Sequence, residues 1–178
     1  MKHVRIEGYL TQSKLEEVLQ EIVGDAWLGA ELVVPGTRRR WDMAFSHNGC
    51  TTIVEYDGDE HYCNTLKIKA DLEKDRAAAG MGYRVVRIPY WVQLTKDTLH
   101  HYFGFDAEIE QDFPHGFITT KIFPASFCPL GIRRFLREIE ALPAGVRDSV
   151  LASLGERAKQ YGEEYVIPRE ISERATSR

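Results

Sequence analysis

Four carboxylates crowd into Glu55-Tyr56-Asp57-Gly58-Asp59-Glu60, and His61 follows at once. Like charges gathered at a strand end repel one another unless solvent or a cation relieves them, so the functional reading of this cluster is a metal ion. Its plain alternative is a strand closed by an Asp57-Gly58 turn, with Glu55 solvated on an edge. Asp42 lies one hairpin arm upstream, and a turn centred on Asn48-Gly49 brings it beside Glu55. Oxygen ligands with no thiolate set nearby select Mg²⁺ or Mn²⁺, and an ion so held polarises a phosphoryl oxygen and acidifies a bound water. The reaction class this implies is phosphodiester hydrolysis. Asp42 and Glu55 are the expected metal ligands, with Asp57 as a further or water-mediated one. His61, titrating near neutrality, either orients or deprotonates the attacking water or supports the ligands from behind.

The elements that must hold these groups are legible as periodicities. Leu15, Val18, Leu19, Ile22 and Val23 form the apolar stripe of a helix over 13–23, with Thr11 or Ser13 as its cap. A short strand at 31–34 stops at Pro35-Gly36. From 41 to 46 Trp41, Met43 and Phe45 take one face and Asp42, Ala44 and Ser46 the other. His47-Asn48-Gly49 turns the chain into a strand over 51–57, a helix covers 70–79, and a buried strand runs from 83 to 88. The order helix, strand, strand, strand, helix, strand predicts an α/β core with a mixed sheet whose last connection is a parallel crossover. The core occupies 10–95 within a first domain of 1–95. An irregular aromatic-rich connection follows over 96–130. A C-terminal helical hairpin over 131–167 is broken at Pro143, and a frayed tail covers 168–178.

Composition bounds the function class. With 178 residues and 43% hydrophobic content the chain can build one domain with a core. Three cysteines without a CxxC pair argue against a disulfide framework and a four-thiolate zinc site, although Cys63, Cys128 and His115 form an irregularly spaced alternative. No apolar run spans a bilayer and the first residues lack a signal-peptide core, so a cytoplasmic location without membrane contact is the expectation. The net charge of −4 runs against nucleic-acid binding, though a carboxylate metal site itself lowers the formal charge.

Taken together, Asp42, Ile53-Val54-Glu55-Tyr56-Asp57-Gly58 with His61, Asp75-Arg76 and Gly82-Tyr83-Arg84-Val85-Val86-Arg87 resemble the Vsr-like branch of the PD-(D/E)XK restriction-endonuclease-like superfamily over about residues 10–95. The resemblance implies the restriction-endonuclease-like αβββαβ core and metal-dependent cutting or nicking of DNA. It also implies a helix-1 glutamate. On a 100° wheel Glu16 flanks the apolar stripe and Glu17 points away, which assigns Glu16 to the site. The parent class carries a lysine two residues after the strand glutamate, and here Asp57 stands in that place. Transition-state charge must then be met by a second metal, by His61, or by a basic side chain such as Lys67, Lys69, Lys74 or Arg87.

Arg38, Arg39 and Arg40, with Lys67, Lys69 and Lys74, are the candidate nucleic-acid contacts, against the reading of a solvated turn and helix face. Asp75-Arg76 reads as an ion pair fixing its helix to the sheet. The aromatics Tyr102, Phe103, Phe105, Phe113 and Phe117 read as core before they read as base-stacking platforms. DNA is the expected partner, alone or with a second protein or a second copy of the chain. The rival reading is a catalytically degenerate nuclease fold that binds DNA or protein as a subunit of a repair or defence system.

Overall fold

A computed structural model describes residues 2–117 and 122–169 of the chain. In order come β1 (Lys2–Ile6), α1 (Gln12–Val23), β2 (Trp27–Val33), β3 (Arg40–His47), β4 (Cys50–Asp57), α2 (Glu60–Cys63), α3 (Thr65–Gly80) and β5 (Arg84–Pro89). Then follow α4 (Lys96–Phe103), β6 (Ala107–Gln111), α5 (Pro129–Ala141), α6 (Ala144–Tyr161) and α7 (Glu163–Val166). The architecture is mixed α/β. One four-stranded sheet has the order β2-β3-β4-β5, antiparallel throughout except for the parallel β4–β5 pair that α3 connects.

Local chemistry accounts for the central elements. Thr11 caps α1 by accepting the Lys14 N–H at 3.3 Å. The β3–β4 hairpin closes in two residues between His47 and Cys50, and Asn48 and Gly49 take φ values of 50° and 75°. That left-handed pair is what a tight hairpin turn requires. Asn64 caps α3 by accepting the N–H groups of Leu66 and Lys67.

Each sheet face has its own cover. Leu15, Val18 and Leu19 of α1 pack on Met43, Phe45 and Val54, together with Leu99 and Phe103 of α4. Ala78 of α3 packs on Ala44 and Ile53 from the other side. Trp41 departs from the alternation: it lies in the α3-side cluster, edge-on to Tyr83 at a centroid distance of 6.2 Å, and not beside Met43 and Phe45.

The segment after residue 95 is more ordered than its composition suggests. α4 and β6 fall within it, and β6 pairs in parallel with β1, an N-terminal strand that the sequence reading left unassigned. Its aromatics are largely core. Phe117, Phe123 and Phe127 join Phe135, Val150 and Leu154 of the helical hairpin around Tyr62 and Trp91. Each such ring contributes about 1.5–3 kcal/mol on burial, so the hairpin is held against Tyr62 and Trp91, just beyond β4 and β5. Contact there is close: a Cβ added at Gly131 of α5 would stand 1.8 Å from the Tyr62 carbonyl oxygen. Of the tail expected to fray, positions 170–178 lie outside the described residues. No helix among the described residues is long and apolar enough to cross a membrane.

Candidate active site

The hairpin register pairs Met43 with Val54, and one step further brings Asp42 alongside Glu55. There the ladder changes character. Continued pairing would set Trp41 against Tyr56, but the Tyr56 N–H donates to Asp42 Oδ2 at 2.8 Å, and the Asp42 N–H donates to Glu55 Oε1 at 3.3 Å. Carboxylate oxygens replace backbone partners, the two strands part, and Trp41 is released to the α3 face. The two side chains expected to converge do so.

Both acids are taken out of water, Glu55 almost completely at 1% exposed. Burial raises the Asp42 pKa, with the Tyr56 N–H opposing. Burial, reinforced by the neighbouring Asp42 charge, pushes Glu55 up to about 7, against the pull of Lys74. Lys74 reaches in from α3 and pairs with Glu55 Oε2, while Arg87 Nη1 stands 3.8 Å from the same oxygen. Of the four basic candidates for the vacant lysine role, Lys67 and Lys69 are exposed on α3. Arg87 is committed to Asp75 and Asp57. Lys74 is the cation delivered to the carboxylate pair.

Asp57 and His61 belong to a second cluster, set apart from Asp42 and Glu55. The Asp57 side chain is fully buried; Oδ1 receives Arg87 Nη1 at 2.8 Å and lies 3.0 Å from His61 Nδ1, and Oδ2 pairs with Arg134 Nη2. His61 Nδ1 also meets Asp71 Oδ2 at 2.7 Å, and Arg134 Nη1 reaches the same oxygen at 3.0 Å. Among the described residues, the trio whose ligand atoms converge within 4.8 Å of one another is Asp57, His61 and Asp71. This trio could hold a metal ion, and its two aspartates also pair with the guanidiniums of Arg87 and Arg134. Burial alone would raise Asp57, but the His61 hydrogen bond and the Arg87 and Arg134 charges hold it well below the usual carboxylate range. Burial alone would lower His61, yet its bonds to Asp57 and Asp71 raise it to about 9.

This network sets a pH dependence. His61 titrates near 6.5 unfolded and near 9 folded, so its stabilisation is complete below pH 6.5 and is lost as pH rises through 9. Between those values the loss is on the order of 3 kcal/mol. Denaturant melts from pH 6 to 10 should show it in the wild type and not in His61→Gln; parallel curves for the two chains would refute the linkage.

No family model, curated protein or solved structure matches this chain. The site is therefore read from its own geometry.

The remaining expected residues lie further out. Glu17 is exposed and Glu16 half-buried, as the wheel requires, but Glu16 Oε1 accepts from Gln20 Nε2 at 3.1 Å along its own helix. α1 also covers the face opposite the one from which Lys74 approaches. Arg38, Arg39 and Arg40 are all exposed. Arg39 pairs with Glu73, and Arg40 Nη1 donates to the Glu31 carbonyl at 2.8 Å. Asp75 pairs with Arg87 across to β5 and not with Arg76. That pair fixes α3 to the sheet by a partner the sequence neighbourhood did not suggest. Arg134 and Glu138 of α5 were not anticipated at all. Their sequence signal is faint: Gly131, Arg134 and Glu138 share one helix flank beside the apolar Phe135 and Ile139.

Proposed function

We propose that this chain is a metal-dependent endonuclease that hydrolyses a DNA phosphodiester, nicking or cutting the duplex, on a restriction-endonuclease-like core of the Vsr-like type. The observation that carries the reading is the convergence of Asp42, Glu55 and Lys74 at the point where β3 and β4 part. The order α1, β2, β3, β4, α3, β5 supports the fold assignment.

The donor set suits a hard divalent cation. Two carboxylates share a desolvated site, each raising the cost of the other's charge, and one lysine does not balance them. Asp42 and Glu55 would hold Mg²⁺ or Mn²⁺, which when bound supplies Lewis-acid polarisation of a phosphoryl oxygen and a more acidic water. Lys74 supplies a fixed positive charge beside the reacting phosphate, compensating charge that develops in the transition state. It does from α3 what a lysine at position 57 would do from the strand, and position 57 is thereby free to bind Arg134. Asp57 and His61 act at a distance, by locking the end of β4 and α2 in place.

A binding subunit without catalysis is the second reading, favoured by the net charge of −4. Calorimetry separates the two. Mn²⁺ should bind the wild type, and Asp42→Ala should abolish that binding. The wild type should also convert supercoiled plasmid to nicked or linear forms with Mg²⁺ or Mn²⁺ and not with EDTA. A wild-type chain that binds no Mn²⁺ and leaves plasmid intact would transfer the case to the binding subunit.

A further inference from the structure

A groove of about 250 Å³ runs between α3 and α5, outside the Asp42–Glu55–Lys74 site. Arg133 and Arg137 stand one helical turn apart on α5, both exposed, and both line it. The groove also contains acids, and each is committed. Asp75 is bonded to Arg87, Asp71 to His61 and Arg134, and Glu138 to Arg134 and Tyr62. Nothing acidic in the groove is left for Arg133 or Arg137, and among the described residues neither makes a hydrogen bond or ion pair. Some exposed cations do find carboxylates, as Arg5 does with Glu110, Arg39 with Glu73 and Lys96 with Glu108. In a chain with 27 acidic and 23 basic residues, two adjacent guanidiniums without a carboxylate make one groove locally positive.

The opposite rim matches. Lys69, Leu72 and Arg76 follow the i, i+3, i+7 row of α3, all exposed, and Leu72 lines the groove. Ile68, Leu72 and Leu130 form the apolar part of the groove's floor, among the paired acids, and Lys69 and Arg76 stand on α3 beside the groove without lining it. Arg87, a groove-lining residue, lies 3.8 Å from Glu55 Oε2, which joins the groove to the carboxylate pair.

We infer that the α3–α5 groove is a backbone track for DNA, in which Arg133 and Arg137 grip phosphates and the C-terminal hairpin thereby seats the strand for the catalytic carboxylates. The guanidinium fork matches phosphate oxygens, and the apolar floor tolerates sugar edges. The inference extends the endonuclease reading, on which the second half of that statement rests; the phosphate contacts themselves do not depend on it.

Fluorescence anisotropy of a labelled 20-base-pair duplex, in EDTA and across a salt series, tests the track. Each lost phosphate contact lowers the slope of log affinity against log salt by about 0.9. Arg133→Ala/Arg137→Ala should reduce the slope by about 2 and the affinity at low salt by at least about tenfold. Arg133→Lys/Arg137→Lys should keep most of the slope, and Lys159→Ala, an exposed cation on α6, should change nothing. Equal slopes for the wild type and the Arg-to-Ala pair would overturn the track, as would a wild type that binds no duplex or polyglutamate competing as well as DNA. The same preparations report on cutting. A shallower slope in the Arg-to-Ala pair beside a wild type that never cuts plasmid would keep the track and remove the hydrolytic reading.

Discussion

Glu55→Gln is expected to lower plasmid cutting by on the order of 10³-fold while leaving the melting temperature unchanged or raised. The two halves of that result come from one fact, the burial of a charge. Glu55 is 1% exposed, beside a second carboxylate, and its pKa is driven up to about 7. Folding such a group in its charged form costs free energy that a neutral isostere avoids. Glutamine keeps an oxygen for the Asp42 N–H, and Lys74 keeps the Asp42 charge as a neighbour. What is lost is the anionic oxygen that, under the proposed endonuclease function, would bind a hard cation and hold Lys74 beside the phosphate. A residue kept for the fold would show the reverse pattern, with stability falling and residual activity following it. Supercoiled-plasmid assays with thermal melts of the same preparations decide it. Near-normal cutting by Glu55→Gln would remove Glu55 from the machinery, and a large drop in melting temperature would make it a structural ion-pair partner.

The parts of this fold that sequence could reveal are those set by short-range geometry. The β3–β4 hairpin follows from alternation and from Asn48-Gly49, and once the turn is fixed the proximity of Asp42 and Glu55 is register arithmetic. α1, α5 and α6 follow from their apolar stripes; α3 follows from helix formers at 70–79 but begins at Thr65, where Asn64 caps it, and α4 lies in the segment that composition reads as irregular. Trp41 was misplaced because alternation assumes an unbroken ladder, and the carboxylates break it at Asp42. β1 was missed because Lys-His-Val-Arg-Ile looks like a charged terminus until β6, about a hundred residues on, pairs with it. His61 was assigned a near-neutral pKa from its type alone. Two aspartates, one of them ten residues further along the chain, raise it to about 9. The functional consequence is a division of labour within Glu55-Tyr56-Asp57-Gly58-Asp59-Glu60-His61. Its first acid faces the proposed chemistry, and Asp57 and His61 face a guanidinium from a helix more than seventy residues away.

That guanidinium carries the second large effect. Arg134→Met is expected to destabilise the chain by about 3–5 kcal/mol, because removing one partner from a buried ion network leaves uncompensated charge in a dry site. Arg134 donates to Asp57 Oδ2, to Asp71 Oδ2 at 3.0 Å, to Glu138 Oε1 at 2.7 Å and to the His61 carbonyl at 3.3 Å, and it lies 4.9 Å from the centre of the Tyr62 ring. Methionine fills similar volume and satisfies none of these. Lysine would fare little better, since one ammonium cannot span three carboxylates and a carbonyl as the planar fork does. For a domain of this size the loss corresponds to a fall in melting temperature of about 10 °C. Both the α5 anchor and the end of β4 should loosen together. Adding Asp57→Asn should recover part of the loss, because the uncompensated charge is then gone, and a double-mutant cycle on the two positions should give a coupling of about 1–3 kcal/mol. Mn²⁺ binding by Arg134→Met, measured well below its melting temperature, should survive, since neither Asp42 nor Glu55 pairs with Arg134. Additive losses in the cycle would show that Arg134 is not coupled to Asp57, and loss of Mn²⁺ binding in a folded Arg134→Met chain would show that the guanidinium network and the Asp42–Glu55 pair are not independent.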